Sequence, residues 1–408
     1  MQHTEKVYYS DVRLLTCTAI VLECRACDDK YEIVLDRTVF FPEGGGQASD
    51  LGKIDGIDVL DVQEKDEILY HVTKEPVPVG KSVSLYVDPV RRMDHCVQHT
   101  GEHMISGLAK SMYDAQNVGF HMADTYSTLD LDKYLTDDEL TALEREVNAK
   151  LRENRRIYAE IVDCEGLAAL TLRKKTDGLE KRAESFRIVY IDGVDSCTCC
   201  GSHCELTGEV GIVKFTSWQK YKSGIRIWFL CGDRAVRDYQ EKQAIITSLA
   251  KRFSTSQDEL TANVYKQGDE NTRLKTTLKR KISELCALRA AELIGNADIC
   301  RDIKLVTVCD EGADMYELKT LAEKLTEKGG VMAVLLSYSD GNVAYAVATS
   351  ADVEPKANEI CKTVNSLLNG KGGGKPDFAQ GSGKASNVSA YRESAEQLKA
   401  YIYRLING

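Results

Sequence analysis

No run of about 18 consecutive apolar residues occurs anywhere in the 408-residue chain, so no membrane-crossing helix is expected. The opening stretch, MQHTEKVYYSDVRLL, lacks both the apolar core and the small-residue cleavage site of a secretory leader, and a cytoplasmic location is expected. Positive charge is not in excess. The net charge of −10 argues against a broad nucleic-acid coat, though local basic tracks remain. Candidate tracks are Arg173, Lys174, Lys175, Lys181 and Arg182, then Lys220, Lys222 and Arg226; each reads equally well as a solvated face. Histidine is scarce, at seven residues, and proline is absent from 236–298.

What is present is an ordinary globular composition, 43% hydrophobic and 28% charged. The length suits about two to four domains. Fourteen cysteines are scattered through a chain without a leader, so most are expected to be reduced and many buried. Cys197, Cys199, Cys200 and Cys204 stand apart, because they fall within eight residues and have His203 among them.

The expected fold is α+β and multidomain. Residues 1–90 alternate in Tyr31–Asp36 and Ser82–Val87 between Gly, Pro and Asp turns, which predicts a small β-barrel. Within it, Gly44-Gly45-Gly46-Gln47 lets backbone approach a ligand or another segment closely. Residues 91–235 read as a mixed α+β domain, with helices over 94–112 and 137–157 followed by short strands. Residues 236–298 are rich in Lys, Glu, Ala and Leu and predict a helical arm, broken near Ser254, with Ser256 and Glu259 forming a capping box. Residues 299–408 alternate strand and helix, giving a small α/β domain with a glycine-rich loop over 370–384.

The chemistry gathers on two short segments. His95, His99 and His103 are spaced by four, and residues four apart share a helix face. Cys199-Cys-Gly-Ser-His203 supplies a thiolate and an imidazole, again four apart. Two histidines with one Cys–His pair make a nitrogen and sulfur set suited to tetrahedral zinc. Neighbouring Cys200 remains an alternative to Cys199. His99-Thr-Gly-Glu-His103 also matches the H-x-x-E-H of inverted zinc peptidases, in which Glu102 would be the general base. The Cys199/His203 half is not expected in such a peptidase.

These two segments, in this order, resemble the editing domain of alanyl-tRNA synthetases and the free-standing AlaX-type editing proteins. Further segments carry the likeness in sequence order: Phe41–Asp50, Val118–Met122, Ser127–Leu131, Thr207–Gly211 and, resembling the synthetase C-terminal domain, Gly372–Gln380. The last also occurs on DHH-family phosphoesterases, but Asp94-His95-Cys96 is not their Asp-His-His motif. The class II aminoacylation domain that would precede this region is not in this chain, so ATP use and tRNA charging are not expected.

The resemblance implies hydrolysis of the ester in alanine tRNA mischarged with serine or glycine. It implies one zinc ion on His99, His103, Cys199 and His203. Glu102 and His121 become the catalytic candidates; Gly44, Gly45, Gly46, Gln47, Phe120 and His121 the substrate-binding ones. It assigns tRNA binding to Lys371, Lys375 and Lys384, with no membrane partner, and leaves open a homodimer through the arm or the C-terminal domain.

Overall fold

The computed structural model describes residues 4–174 and 185–407. The basic residues Lys175, Lys181 and Arg182 lie outside the described residues. The chain divides into two compact units, Met1–Ser248 and Leu249–Gly408.

In the first unit, six strands close into a barrel: Thr16–Cys27, Lys30–Leu35, Ile68–Thr73, Ile57–Lys65, Gly52–Ile54 and Ser82–Val87, in that order around it. Alternation decides which side chains fill it. In Ser82–Val87, Val83, Leu85 and Val87 are buried and the residues between them exposed. Closure leaves these strands no free edge.

Helix α1 (Pro89–Tyr113) follows at once. Asp88 caps it by accepting from the Val90 and Arg91 amides, and Pro89 occupies the first turn, where its missing N–H costs nothing. The helix therefore starts before the residue-94 start read from periodicity. It packs beside a four-stranded antiparallel sheet ordered Val213–Tyr221, Gly224–Cys231, Ser127–Leu131, Asn117–Met122. Met104, Ile105, Leu108, Leu129, Ile227 and Phe229 share the resulting core. Helix α2 (Asp137–Arg152) opens with a Thr136–Glu139 capping box. It ends earlier than the periodicity suggests, because Ile157 begins a strand (Ile157–Asp163). That strand precedes the short α3 (Cys164–Ala169) and pairs with Ser185–Ile191, which pairs with Asp195–Thr198.

The sequence separates residues 1–90 from 91–235, but both fall in one unit. Buried polar contacts tie them. Arg92 of α1 ion-pairs with Asp50, both side chains wholly buried. Arg92 also donates to the carbonyls of Val12 (2.8 Å) and Val39 (2.5 Å), and Asp50 accepts from the Phe41 amide (2.6 Å). Removing either partner of such a pair strands a buried charge.

Helix α4 (Gly232–Phe253) runs across the division between the units. Helix α5 (Leu260–Gly295) begins beyond the predicted break, where the Glu259 amide donates to Ser256 Oγ at 3.3 Å. Leu274, Leu278, Leu285 and Leu288 are exposed along α5. The second unit then builds one six-stranded sheet ordered Asp298–Cys300, Ile303–Glu311, Val331–Ser339, Asn342–Thr349, Phe378–Lys384, Lys371–Gly374. Helices α6 (Met315–Thr326), α7 (Ala357–Leu367) and α8 (Val388–Asn407) contribute to two separate apolar cores against it, α6 to one and α7 with α8 to the other.

The glycine-rich 370–384 segment is a β-hairpin and not the flexible loop its composition suggests. A Cβ on Gly372 would fall 2.1 Å from the Tyr345 hydroxyl, and one on Gly381 2.3 Å from it. Glycine is needed here for close packing over a buried tyrosine.

Candidate metal centre

His99 and His103 lie one turn apart on the buried face of α1. Cys199 and His203 come from the turn that follows Asp195–Thr198. Their donor atoms all lie within 4.8 Å of one another. Cys199 Sγ is 3.5 Å from His99 Nε2 and 3.4 Å from His203 Nε2. A tetrahedral zinc with ordinary Zn–N and Zn–S bonds has N···S edges of about 3.5 Å. The set therefore fits the ion in donor chemistry and in spacing. Cys200 is exposed, so the geometry selects Cys199 from the pair. His95 is buried on the same helix but is not one of the four.

Each imidazole is locked by its other nitrogen. His99 Nδ1 meets Gln47 Oε1 at 2.8 Å, His103 Nδ1 meets Asp195 Oδ2 at 2.9 Å, and His203 Nδ1 meets Thr100 Oγ1 at 3.4 Å. With Nδ1–H donating, all three Nε2 atoms are acceptors free for a cation. The anchors are themselves held. Gln47 Nε2 donates to Ser202 Oγ at 2.8 Å, and the Cys204 amide donates to Thr100 Oγ1 at 3.0 Å. Arg173 grips Asp195 with two hydrogen bonds, 2.7 and 3.1 Å. Burial opposes ionisation of Cys199, yet the surrounding imidazoles hold its thiol well below the ordinary range, which favours the thiolate a metal binds. A Cβ on Gly201 would sit 2.0 Å from the His99 ring, so the turn needs glycine there.

The glycine-rich barrel segment works by backbone approach. Gly46 has φ +84°, its carbonyl accepts from the Met122 amide (3.0 Å), and a Cβ would fall 2.7 Å from the Phe120 carbonyl. Gly46 and Gln47 are thus delivered to the centre, whereas Gly44 and Gly45 border open space. Phe120 lies with its ring centroid 5.3 Å from that of His99.

The two catalytic candidates lie in different surroundings. His121 is exposed and sits between Phe120 and Met122 in a strand, so alternation aims it at the sheet face opposite Phe120. The structure does not bring it to the cluster. Glu102 does come close, with Oε2 3.7 Å from His103 Nε2, but its other oxygen accepts from Ser106 Oγ and from Asn117 Nδ2 (2.5 Å). Burial disfavours its ionised form, while the Arg173 guanidinium and the Ser106 hydrogen bond favour it.

Asp195, Thr100 and Arg173 join the centre only in the folded chain. The one sequence signal for them is a carboxylate four residues before Cys199, since Asp195, Cys197 and Cys199 alternate onto one side of the segment. Lys371, Lys375 and Lys384 are all exposed on or beside the glycine hairpin.

Against known proteins, this architecture matches parts of class II synthetases. Residues 186–227, which hold Cys199 and His203, match the threonyl and alanyl tRNA synthetase second additional domain. Residues 2–91, the barrel region, match the family described as tRNA synthetases class II (A), and residues 302–401 match the DHHA1 domain. Among individual proteins, the alanyl-tRNA editing protein AlaX-L of Pyrococcus horikoshii is 29% identical over 98% of this chain and 99% of its own length. Alanine–tRNA ligases of Methanosarcina barkeri (30%) and Methanococcoides burtonii (28%) match 93% and 97% of this chain, which spans only 42% and 44% of theirs. The likeness to AlaX-L thus covers 98% of this chain, and that to these two alanine–tRNA ligases 93% and 97%.

Proposed function

We propose that the chain is a zinc-dependent aminoacyl-tRNA deacylase that removes serine or glycine wrongly attached to alanine tRNA. The observation that carries this reading is the buried four-donor cluster with all three imidazoles locked by second hydrogen bonds, two of whose donors, Cys199 and His203, lie in the segment that matches the threonyl and alanyl tRNA synthetase second additional domain. The full-length likeness to AlaX-L supports the substrate class.

His99, His103, Cys199 and His203 would hold the ion. Bound there, zinc supplies a fixed positive charge able to polarise an ester carbonyl or a water. The chain's own part is positioning. Gln47 and Asp195 fix the ring orientations, Phe120 walls the approach beside His99, and Gly46 keeps the barrel segment tight against it. An aminoacyl ester is already reactive, so orientation and charge stabilisation account for most of what is needed. Lys371, Lys375 and Lys384 would hold tRNA phosphates, and the exposed leucines of α5 favour a homodimer through the arm. We assign 1–90 to the barrel, 91–235 to editing, 236–298 to the arm and 299–408 to tRNA binding.

The peptidase alternative needs Glu102 as a free base, and its engagement by Ser106 and Asn117 disfavours that. A binding module with a purely structural metal is the other rival, because four protein ligands leave no open coordination position. Substituting His103→Ala separates them. Editing requires loss of serine release with tRNA affinity kept; unchanged release by this variant would refute the assignment.

A further inference from the structure

One more residue holds the turn that carries Cys199 and His203: Arg187, in the strand Ser185–Ile191. It does so with its backbone and its side chain together. The Arg187 carbonyl accepts from the Cys199 amide at 3.1 Å, and Arg187 Nη1 donates to the carbonyls of Cys199 (2.8 Å) and Gly201 (3.0 Å). Hydrogen bonds from a guanidinium are charge-assisted and about twice as strong as those between neutral groups. The same guanidinium stands 4.9 Å from the Tyr9 ring centroid, a cation–π contact that backs it from the N-terminal segment.

The grip on these two carbonyls decides how the turn is oriented, because each belongs to a planar peptide unit. The Gly201 carbonyl shares its plane with the Ser202 N–H. That N–H donates to Gln47 Oε1 at 3.2 Å, and the same oxygen meets His99 Nδ1 at 2.8 Å. The plane is therefore clamped at both ends, by Arg187 and by Gln47 of the barrel. The Cys199 carbonyl belongs to the plane two units earlier. Between the two held planes lies the Cys200–Gly201 unit, which aims the Gly201 N–H at Cys199 Sγ, 3.3 Å away. An N–H donated to a thiolate fixes its orientation and tunes its strength as a ligand.

We propose that Arg187 is a positioning residue for the thiolate half of the metal centre. By gripping the Cys199 and Gly201 carbonyls it sets the Gly201 N–H···Sγ bond, and with it the direction in which Cys199 faces the three imidazoles. Arginine suits the task because its planar head stacks on Tyr9 while Nη1 reaches both carbonyls; lysine keeps the charge but not the plane. The role rests on the four-donor cluster holding a metal and is independent of the ester cleaved.

The test uses the intact chain. Zinc affinity is read by chelator competition, and the metal–thiolate bond by the near-ultraviolet charge-transfer band of the cobalt(II)-loaded protein. Arg187→Met should weaken zinc binding about 10- to 100-fold and shift the cobalt band, with Arg187→Lys falling between it and wild type. Arg25→Met is the control and should change neither, since Arg25 also stands over a tyrosine, Tyr70 at 5.4 Å, but pairs with Glu32 and not with the turn. Circular dichroism checks each fold; if Arg187→Met does not fold, Arg187→Lys and Tyr9→Ala carry the same comparison. A merely structural arginine would lower the melting temperature and leave zinc affinity and the cobalt band in place, and that result overturns the proposal. No zinc binding by the wild type overturns the metal reading itself and this role with it.

Discussion

Cys199 sits 3.4 Å from His203 Nε2, while Cys200, one residue on, is exposed. Replacing Cys200 with serine should leave one zinc per chain, and replacing Cys199 should abolish stoichiometric zinc; elemental analysis after gel filtration decides. Asp195→Asn removes the charge that steadies His103 and should weaken zinc affinity about 10- to 100-fold in a chelator competition. Retained wild-type affinity would mean that the His103–Asp195 contact does not tune the centre. The four ligands are legible in the sequence because spacings of four imply a shared helix face or a single turn. Their anchors are not, since Gln47, Thr100 and Asp195 meet the rings only through tertiary contacts of 52, 103 and 92 residues' separation. Phe120 and His121 are neighbours in one strand, so alternation turns them to opposite faces, and the sequence alone does not say which of the two faces His99.

A residue-scale pH effect belongs to the barrel. His71 is wholly buried between Thr38 Oγ1 (2.8 Å) and the Ile33 carbonyl (3.1 Å), and burial pushes its pKa down to about 4. Above pH 6.5 the ring is neutral folded or unfolded and has no effect on the balance. As pH falls from 6.5 towards 4, the unfolded chain takes up a proton that the folded chain refuses. Stability therefore drops across that window, by about 3 kcal/mol at its acid end. Urea unfolding at pH 7 and pH 5 should show a smaller loss in His71→Gln than in wild type. An identical loss would show that His71 is not a source of the acid sensitivity.

At the scale of elements, glycine marks opposite situations in two places. Gly268 lies inside α5, and a Cβ added there would meet no atom within 4 Å, so Gly268→Ala should stabilise the helix by about 0.5–1 kcal/mol. Gly381 packs on Tyr345 in the hairpin, and Gly381→Ala should cost about 1–3 kcal/mol through overpacking. Thermal unfolding of both variants tests the contrast; a stabilising Gly381→Ala would contradict the packing. The hairpin is hidden in the sequence because glycine density usually signals a loop, and the tyrosine that requires it lies in another strand. Helix α1 is legible in its interior but not at its start, since a cap and a first-turn proline carry no apolar periodicity.

For the whole molecule, the sequence pattern separates a barrel, a metal-bearing α+β part, a helical arm and a terminal α/β part. It does not show that the first two form one compact unit, because that rests on tertiary contacts such as the buried Arg92–Asp50 pair and Gln47 reaching His99. Both contacts join the barrel to the helix that bears two of the four donors. Metal retention should therefore depend on the barrel. Arg92→Met, which leaves Asp50 buried and unpaired, should cost about 3–5 kcal/mol.

If this joined unit cleaves a mischarged aminoacyl ester with its metal in place, the reaction itself is the most direct readout. Release of labelled serine is followed from serine-charged alanine tRNA, with alanine-charged tRNA as control and a metal-stripped sample alongside. The expected result is fast release of serine, little release of alanine, and loss of activity on stripping that zinc restores. Absence of release from either tRNA, by folded and zinc-loaded protein, would contradict the deacylase assignment.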